Sequence, residues 1–170
     1  SYAGRNTEAP ALIEEIARLA GIRVFEANPL YLNISRGSPC FAGMMPDIAE
    51  ADVGLLVDVD VPWIPKNTKE NPKTWWAHID VDVVKECFPI WGFASNARVQ
   101  GDSVLILKQL LEALKAKATS AFREAAAKRV EAMRGEGSDR RASLAKQAAD
   151  KGKSGAINPH YLCAEISKAI

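Results

Sequence analysis

The chain has few of the residues that mark secreted proteins and common enzyme classes. It has two histidines, and its three cysteines, Cys40, Cys87 and Cys163, are odd in number and far apart. Without a paired spacing of metal ligands, we expect three reduced thiols in a cytoplasmic protein. No apolar stretch approaches the ~20 residues of a membrane span, and the first residues lack the basic and apolar regions of a signal peptide. We therefore expect no membrane association.

Two widespread functional motifs are also missing. No G-x-G-x-x-G occurs in the 170 residues, which argues against an ordinary dinucleotide-dependent enzyme. No G-x-S-x-G occurs, so a Ser-His-Asp site has no support. His78 lies among apolar residues and is interpreted as a core histidine with satisfied hydrogen bonds rather than a catalyst, and His160 as a surface residue. The net charge of +1 does not suggest a nucleic-acid partner.

The first part of the chain alternates helix and strand signals. A helix is predicted over residues 6–21, with Thr7 as N-cap and Gly21 at its end. Short helical turns are predicted over 45–51 and 83–88. The other predicted elements are strands at 22–28, 39–43, 52–60, 75–82 and 94–102, the last as an edge strand, and a helix after Asp102.

Such alternation predicts an α/β fold with a doubly wound, six-stranded parallel sheet. The first four residues are interpreted as the tail of a truncated first strand, so we expect the chain to be a fragment. Residues 115–153 differ in composition, with eleven Lys and Arg against five Asp and Glu. They predict a solvated helical tail: one helix ending at Gly135, a second helix, a Gly/Ser/Lys link, and a final helix capped by Asn158.

Several polar residues and glycines follow the predicted strands, where open parallel sheets bind their ligands. Asp58 and Asp60 end one strand, Asp80 and Asp82 end the next, and Asp102 follows the last. Carboxylates at these positions could bind the ribose or adenine of a nucleotide. Asp82 and Asp102 could instead cap the following helices. The position of Asp80, before the cap position, leaves a ligand role more open.

Five segments in this order resemble the central domain of thiamine-diphosphate-dependent enzymes of the acetolactate synthase type. No single segment is specific, and the resemblance rests on their order and spacing over residues 1 to about 115. The segments are RVFEAN, PCFAGM, AEADVGLLVDVDVPWIP, WWAHIDVD and RVQGDSVLILKQLLEAL. The last helical segment, INPHYLCAEISKAI, resembles the start of the next, diphosphate-binding domain of that family.

The resemblance implies a central nucleotide-binding-like domain over 1–117, an interdomain helical linker over 118–156, and the start of the diphosphate-binding domain over 157–170. Such central domains hold FAD or ADP in some members of the family and no nucleotide in others. The resemblance implies that the cofactor-binding residues of this chain are Gly4, Arg5, Gly43, Met44, Asp80, Val81 and Asp102. The acidic turn at 57–60 departs from the family pattern, which often has a glycine there, and would crowd or repel a flavin pyrophosphate.

The family also implies an enzyme that acts on 2-oxo acids by carboligation or decarboxylation. Its thiamine diphosphate and Mg²⁺ would be held by separate pyrimidine- and diphosphate-binding domains, in a homodimer or homotetramer. The resemblance therefore implies no catalytic and no metal-binding residue in this chain, which alone would be inactive. The alternative is a free-standing adenine-nucleotide-binding module without catalysis of its own.

Overall fold

The fold was analysed in a computed structural model, which describes residues 1–88, 91–93 and 95–170. It is a mixed α/β fold with four α-helices in the described residues. The helices are α1 (Ala9–Ala20), α2 (Ser103–Lys117), α3 (Ser120–Ala149) and α4 (Pro159–Ala169). The strands are β1 (Val24–Phe25), β2 (Phe41–Gly43), β3 (Val53–Val57), β4 (Trp75–Asp80), β5 (Ala97–Gln100), β6 (Gly152–Lys153) and β7 (Ala156–Ile157).

The main sheet is parallel, as the alternation of elements predicts. Its strands lie in the order β3-β4-β5, and Val57 of β3 is paired with Ile79 of β4. Asp80, at the end of β4, is paired with Gln100 at the end of β5. The carboxyl ends of the three strands therefore meet at one edge. The predicted edge strand is β5, although Ala94 of that prediction lies outside the described residues.

The prediction of one six-stranded sheet is wrong, because β1 and β2 form a separate two-stranded parallel sheet. Residues 1 and 2 lie between the segments that follow β1 and β3. Tyr2 N–H donates to Asp58 O at 2.9 Å, and the Ser1 amino group donates to Ala27 O at 2.7 Å. These two residues contact the segments after β1 and after β3, but they are too few to form a strand that would join the two sheets. The residues that follow, Ala3–Arg5, form a 3₁₀ helix.

The doubly wound arrangement is also not observed, because helices cover one face of the main sheet and loops cover the other. Ile16 of α1 and Leu107 and Leu111 of α2 are buried together against Val57. On the opposite face, Trp63 from a loop packs on Trp76 of β4 with ring centroids 4.9 Å apart. The residues predicted as helical turns at 45–51 and 83–88 form no helix and consist of turns, bends and irregular chain.

The ends of the helices follow the sequence signals in part. Gly21 ends α1 in the left-handed conformation, with φ of 62°. Asp102 caps α2 by accepting a hydrogen bond from Leu105 N–H, and Asn158 caps α4 by accepting from His160 N–H. The prediction that Thr7 is the N-cap of α1 is wrong, because the helix begins after Glu8 and has no side-chain cap.

The helical tail differs from its prediction because α3 is one helix that passes through Gly135. A glycine within a helix costs only about 1 kcal/mol relative to alanine, and packing on the rest of the chain outweighs that cost. Met133 is buried with Ile34 and Phe41, and Arg129 donates to the carbonyl oxygens of Ala20 and Gly21. The predicted link is the antiparallel pair β6–β7.

Two further features of the described residues concern membrane-spanning helices and the cysteines. No helix among them is both long and apolar enough to cross a membrane. Cys40 is buried, Cys87 and Cys163 are exposed, and all three are free thiols.

Candidate functional site

A buried polar cluster lies where β3 and β4 end. Asp80 is its centre and is fully buried. The Tyr2 hydroxyl lies 2.8 Å from both carboxylate oxygens, and Lys85 Nζ lies 2.8 Å from Oδ2. The backbone N–H of Asp82 donates to Oδ1 at 3.0 Å. A buried carboxylate is tolerated only when such partners replace water.

Lys85 is the cation of this cluster and was not identified from the sequence. Its Nζ also donates to Asp60 Oδ1 at 2.9 Å and to Tyr2 Oη at 3.1 Å. The residue adopts a positive φ of 57°, in a turn held by its N–H donating to Asp82 Oδ1. Asp82 therefore caps a turn, not a helix. Physical reasoning could have identified Lys85 from the sequence. Aspartates buried at strand ends need a cation, and Lys85 is the first lysine that follows β4.

The environment shifts the titration of all three groups. Burial alone would raise the pKa of Asp80, but the hydrogen bonds from the Asp82 N–H, Lys85 and Tyr2 outweigh it and hold that pKa well below its usual range. Burial would lower the pKa of Lys85, yet its hydrogen bonds to Asp80, Asp60 and Tyr2 hold it above the usual value. Burial is the main cause that raises the pKa of Tyr2 to about 12.

A second carboxylate at this edge is held by the start of α2. The Ser103 hydroxyl donates to Asp58 Oδ1 at 2.5 Å. Burial raises the pKa of Asp58, and the hydrogen bond from Ser103 opposes this rise. Asp58 has a positive φ of 45°, so the chain turns sharply directly after β3.

His78 is buried within β4, as predicted, but within the described residues it is not the satisfied core histidine that the sequence predicted. Its ring stacks on Trp91, with centroids 5.0 Å apart and planes 17° from parallel. Nε2 lies 3.6 Å from Asp80 Oδ2, which is too long for a hydrogen bond. Within the described ranges neither ring nitrogen has a hydrogen-bond partner, so stacking holds the ring in place.

A small crevice lies above the cluster at the strand ends, with a volume of about 120 Å³. Three of the residues assigned by the resemblance line it: Arg5, Val81 and Asp102. Asp80 lies beneath it and is covered by its own partners. Ligand pockets usually measure about 300–1,000 Å³. The crevice is therefore smaller than a typical ligand pocket.

The remaining assigned residues lie elsewhere. Gly4 N–H donates to Asn33 Oδ1 at 2.9 Å, and a Cβ on Gly4 would lie 2.0 Å from the carbonyl oxygen of Leu32. Gly4 is therefore required by close packing. Gly43 and Met44 line a different pocket, beside α3. The structure brings Arg5, Val81 and Asp102 together around one crevice and does not add Gly43 or Met44 to it.

The charged side chains at the carboxyl ends of the strands form a network of ion pairs and hydrogen bonds. Its donors and acceptors are paired mainly with one another, with Lys85 between Asp60 and Asp80 and Ser103 on Asp58. In the part of the chain that the structure describes, no group of three or more His, Cys, Asp or Glu side chains is placed to hold a metal ion.

Comparisons with known families, curated proteins and solved structures found no match to this chain. The class defined by the fold is thus a mixed α/β protein with a three-stranded parallel sheet. The resemblance to the thiamine-diphosphate enzymes rests on the order and spacing of its segments alone.

Proposed function

We propose that this chain is the central, non-catalytic domain of a thiamine-diphosphate-dependent enzyme of the acetolactate synthase type. Such an enzyme would act on 2-oxo acids by carboligation or decarboxylation. One observation carries the proposal: three of the resembling segments form adjacent parallel strands, β3, β4 and β5, and α2 follows them directly. The strand ends, where the family's nucleotide site would lie, also meet at one edge.

The role proposed for the domain is structural. The Asp80 oxygens already accept hydrogen bonds from Tyr2, Lys85 and Asp82, and Asp80 does not line the crevice, which disfavours a role in binding a ribose or adenine. Lys85 pairs with Asp60 and Asp80, whereas the negative phosphates of a bound nucleotide would add to the negative charge of the aspartates at the strand ends. These contacts favour a nucleotide-free central domain over the alternative of an adenine-nucleotide-binding module.

The pyrimidine- and diphosphate-binding domains of the same enzyme are the partners that the proposal requires. They would supply the cofactor, Mg²⁺ and most substrate contacts, in a homodimer or homotetramer. The central domain would contribute a rigid body, with α3 packed along it as the connection towards the next domain.

The test uses the longest protein whose reading frame contains this segment. We expect about 550 residues, or roughly 150 for each of three domains, with a GDG…N segment downstream. The purified protein should consume pyruvate or another 2-oxo acid only when thiamine diphosphate and Mg²⁺ are both added. A reading frame without that segment, or a protein inactive on a panel of 2-oxo acids with both added, would refute the proposal.

The nucleotide part is tested separately on this chain. Calorimetric titration with ADP should give no saturable heat, because the crevice is small and Asp80 is already paired. Saturable binding that Asp80→Ala weakens would favour the adenine-nucleotide-binding module instead.

A further inference from the structure

A second, larger pocket lies between the end of β2, the turn at residues 36–37 and the middle of α3. Its volume is about 530 Å³, which falls within the range of small-molecule sites. Its lining includes Phe41, Met44 and Leu144 together with Arg36, Arg140 and Arg141. Neither the polar cluster at the strand ends nor the proposed function uses this pocket.

The pocket combines an apolar surface with guanidinium groups. Phe41, Met44 and Leu144 supply the apolar surface, and Met44 and Leu144 are partly exposed. The Arg36 guanidinium lies 4.5 Å from the centroid of the Phe41 ring, and that of Arg140 lies 5.6 Å from it. Both distances allow cation–π attraction, so the aromatic ring holds two positive groups beside the apolar surface.

The positive charges of the pocket are only partly balanced by the protein. Arg36 is paired with the buried Glu26, with NH2 2.7 Å from Oε2. Arg140 donates to the carbonyl oxygens of Phe41 and Ala42, which carry no formal charge. Within residues 1–88, 91–93 and 95–170, neither Arg140 nor Arg141 has a carboxylate oxygen within 4.0 Å. Glu136, one turn before Arg140, is already paired with Arg23.

Gly137 keeps the pocket open on the side of α3. It is buried, and a Cβ there would meet only the ends of the Arg141 and Arg140 side chains, at 3.4 and 3.7 Å. A larger side chain at this position would extend into the space that the pocket leaves. Gly135 offers a matched comparison, since no atom lies within 4 Å of a Cβ built on it.

We propose that this pocket binds a small amphiphilic organic anion. Its carboxylate or phosphate group would accept hydrogen bonds from Arg140 and Arg141, for which guanidinium groups are well suited. Its apolar body would contact Phe41, Met44 and Leu144. The proposal depends on the contacts of this pocket and not on membership of any enzyme family.

The first experiment is calorimetric titration of the whole chain with four probes of equal chain length. The probes are octanoate, octyl phosphate, octanol and octyltrimethylammonium. We expect saturable binding of at least one anion, and binding of the neutral and cationic probes at least about tenfold weaker, because they cannot pair with the arginines. Equal binding of octyltrimethylammonium, or no binding of either anion, would overturn the proposal.

Two pairs of variants then locate the site with the tighter anion. Gly137→Leu should lose binding at least tenfold by filling the pocket, whereas Gly135→Leu, in the same helix, should bind within twofold of the wild type. Arg141→Gln should weaken binding about 3- to 10-fold, and Arg134→Gln, whose side chain pairs with Glu131 on the surface, should not. Melting curves establish that each variant is folded. If Gly137→Leu and Arg141→Gln bind as their controls do, the proposal is wrong.

Discussion

Both oxygens of a buried carboxylate need hydrogen-bond donors, and Asp80 obtains three donors from two parts of the chain. Tyr2 comes from the start of the chain, Lys85 from the turn after β4, and the Asp82 N–H from the same turn. The sequence showed an aspartate where a carboxylate is costly, which correctly marked the position as unusual. It could not show that Tyr2, 78 residues away, and Lys85 supply the partners, because that depends on tertiary contacts.

Replacing the lysine of this network should destabilise the fold. In Lys85→Met the Asp80 carboxylate would remain buried without its cation, and we expect a loss of about 3–5 kcal/mol in the free energy of unfolding. Urea denaturation followed by circular dichroism measures it. Lys66→Met is the control, since Lys66 is an exposed lysine, and its loss should stay within about 0.5 kcal/mol.

Coupling between the two charges gives a second measurement on the same pair. The double variant Lys85→Met, Asp80→Asn should cost less than the sum of the two single variants, because neither charge is left buried alone. A cost below about 1 kcal/mol for Lys85→Met, or strictly additive costs, would show that the pair does not form.

The depressed pKa of Asp80 predicts how stability depends on pH. Its contribution is present above the unfolded value of about 3.9 and is lost as pH falls towards the lower folded pKa. The raised pKa of Asp58 acts in the opposite direction, so a variant must isolate the effect of Asp80. The difference in unfolding free energy between wild type and Asp80→Asn should narrow below pH 4, by up to about 1.4 kcal/mol per pH unit.

Denaturation curves at pH 6, 5, 4 and 3 test this dependence. A difference between the two proteins that stays constant over that range would mean that Asp80 titrates normally in the folded protein.

At the scale of elements, local signals predicted α2 and α4 better than they predicted α3. Asp102 and Asn158 act as caps because the capping bond involves only neighbouring residues. Gly135 was interpreted as a helix end, yet α3 continues through it. What holds α3 together is contact with distant segments, such as Arg129 on the end of α1, and no local pattern reports such contacts.

The packing of α3 on the rest of the chain leads to a prediction for Met133. Its side chain is 4% exposed and lies among Ile34, Cys40 and Phe41. Met133→Ala should therefore cost about 2–5 kcal/mol of unfolding free energy. In contrast, Leu144→Ala in the same helix should cost well below that, since Leu144 is 47% exposed. Equal, small losses in both variants would mean that α3 does not pack on the domain in solution.

At the scale of the whole molecule, the direction of the strands was predictable and their number was not. Buried apolar strands alternating with helices indicated parallel pairing, and β3, β4 and β5 have it. Whether β1 and β2 join this sheet depends on the residues between the two sheets, where Ser1 and Tyr2 hydrogen-bond to both sides without forming a strand.

The proposed place of the domain in a larger enzyme predicts how this chain should behave with the cofactor. Thiamine diphosphate requires a carboxylate beside its pyrimidine ring and a metal ion held by acidic and amide oxygens. In this chain, Asp80 is paired with Lys85, and Asp58 accepts from Ser103. The resemblance assigns both cofactor functions to the neighbouring domains, so the isolated chain should bind no thiamine diphosphate with Mg²⁺ and convert no pyruvate.

Calorimetric titration of the folded chain with thiamine diphosphate and Mg²⁺ measures the binding, and a pyruvate-consumption assay measures the turnover. The matched control is the longer protein that contains this segment, for which we expect saturable binding under the same conditions. Stoichiometric binding by the isolated chain would place cofactor ligands within it. In that case the polar cluster at the strand ends would have to rearrange, because Lys85 now occupies the position of a cation between Asp60 and Asp80.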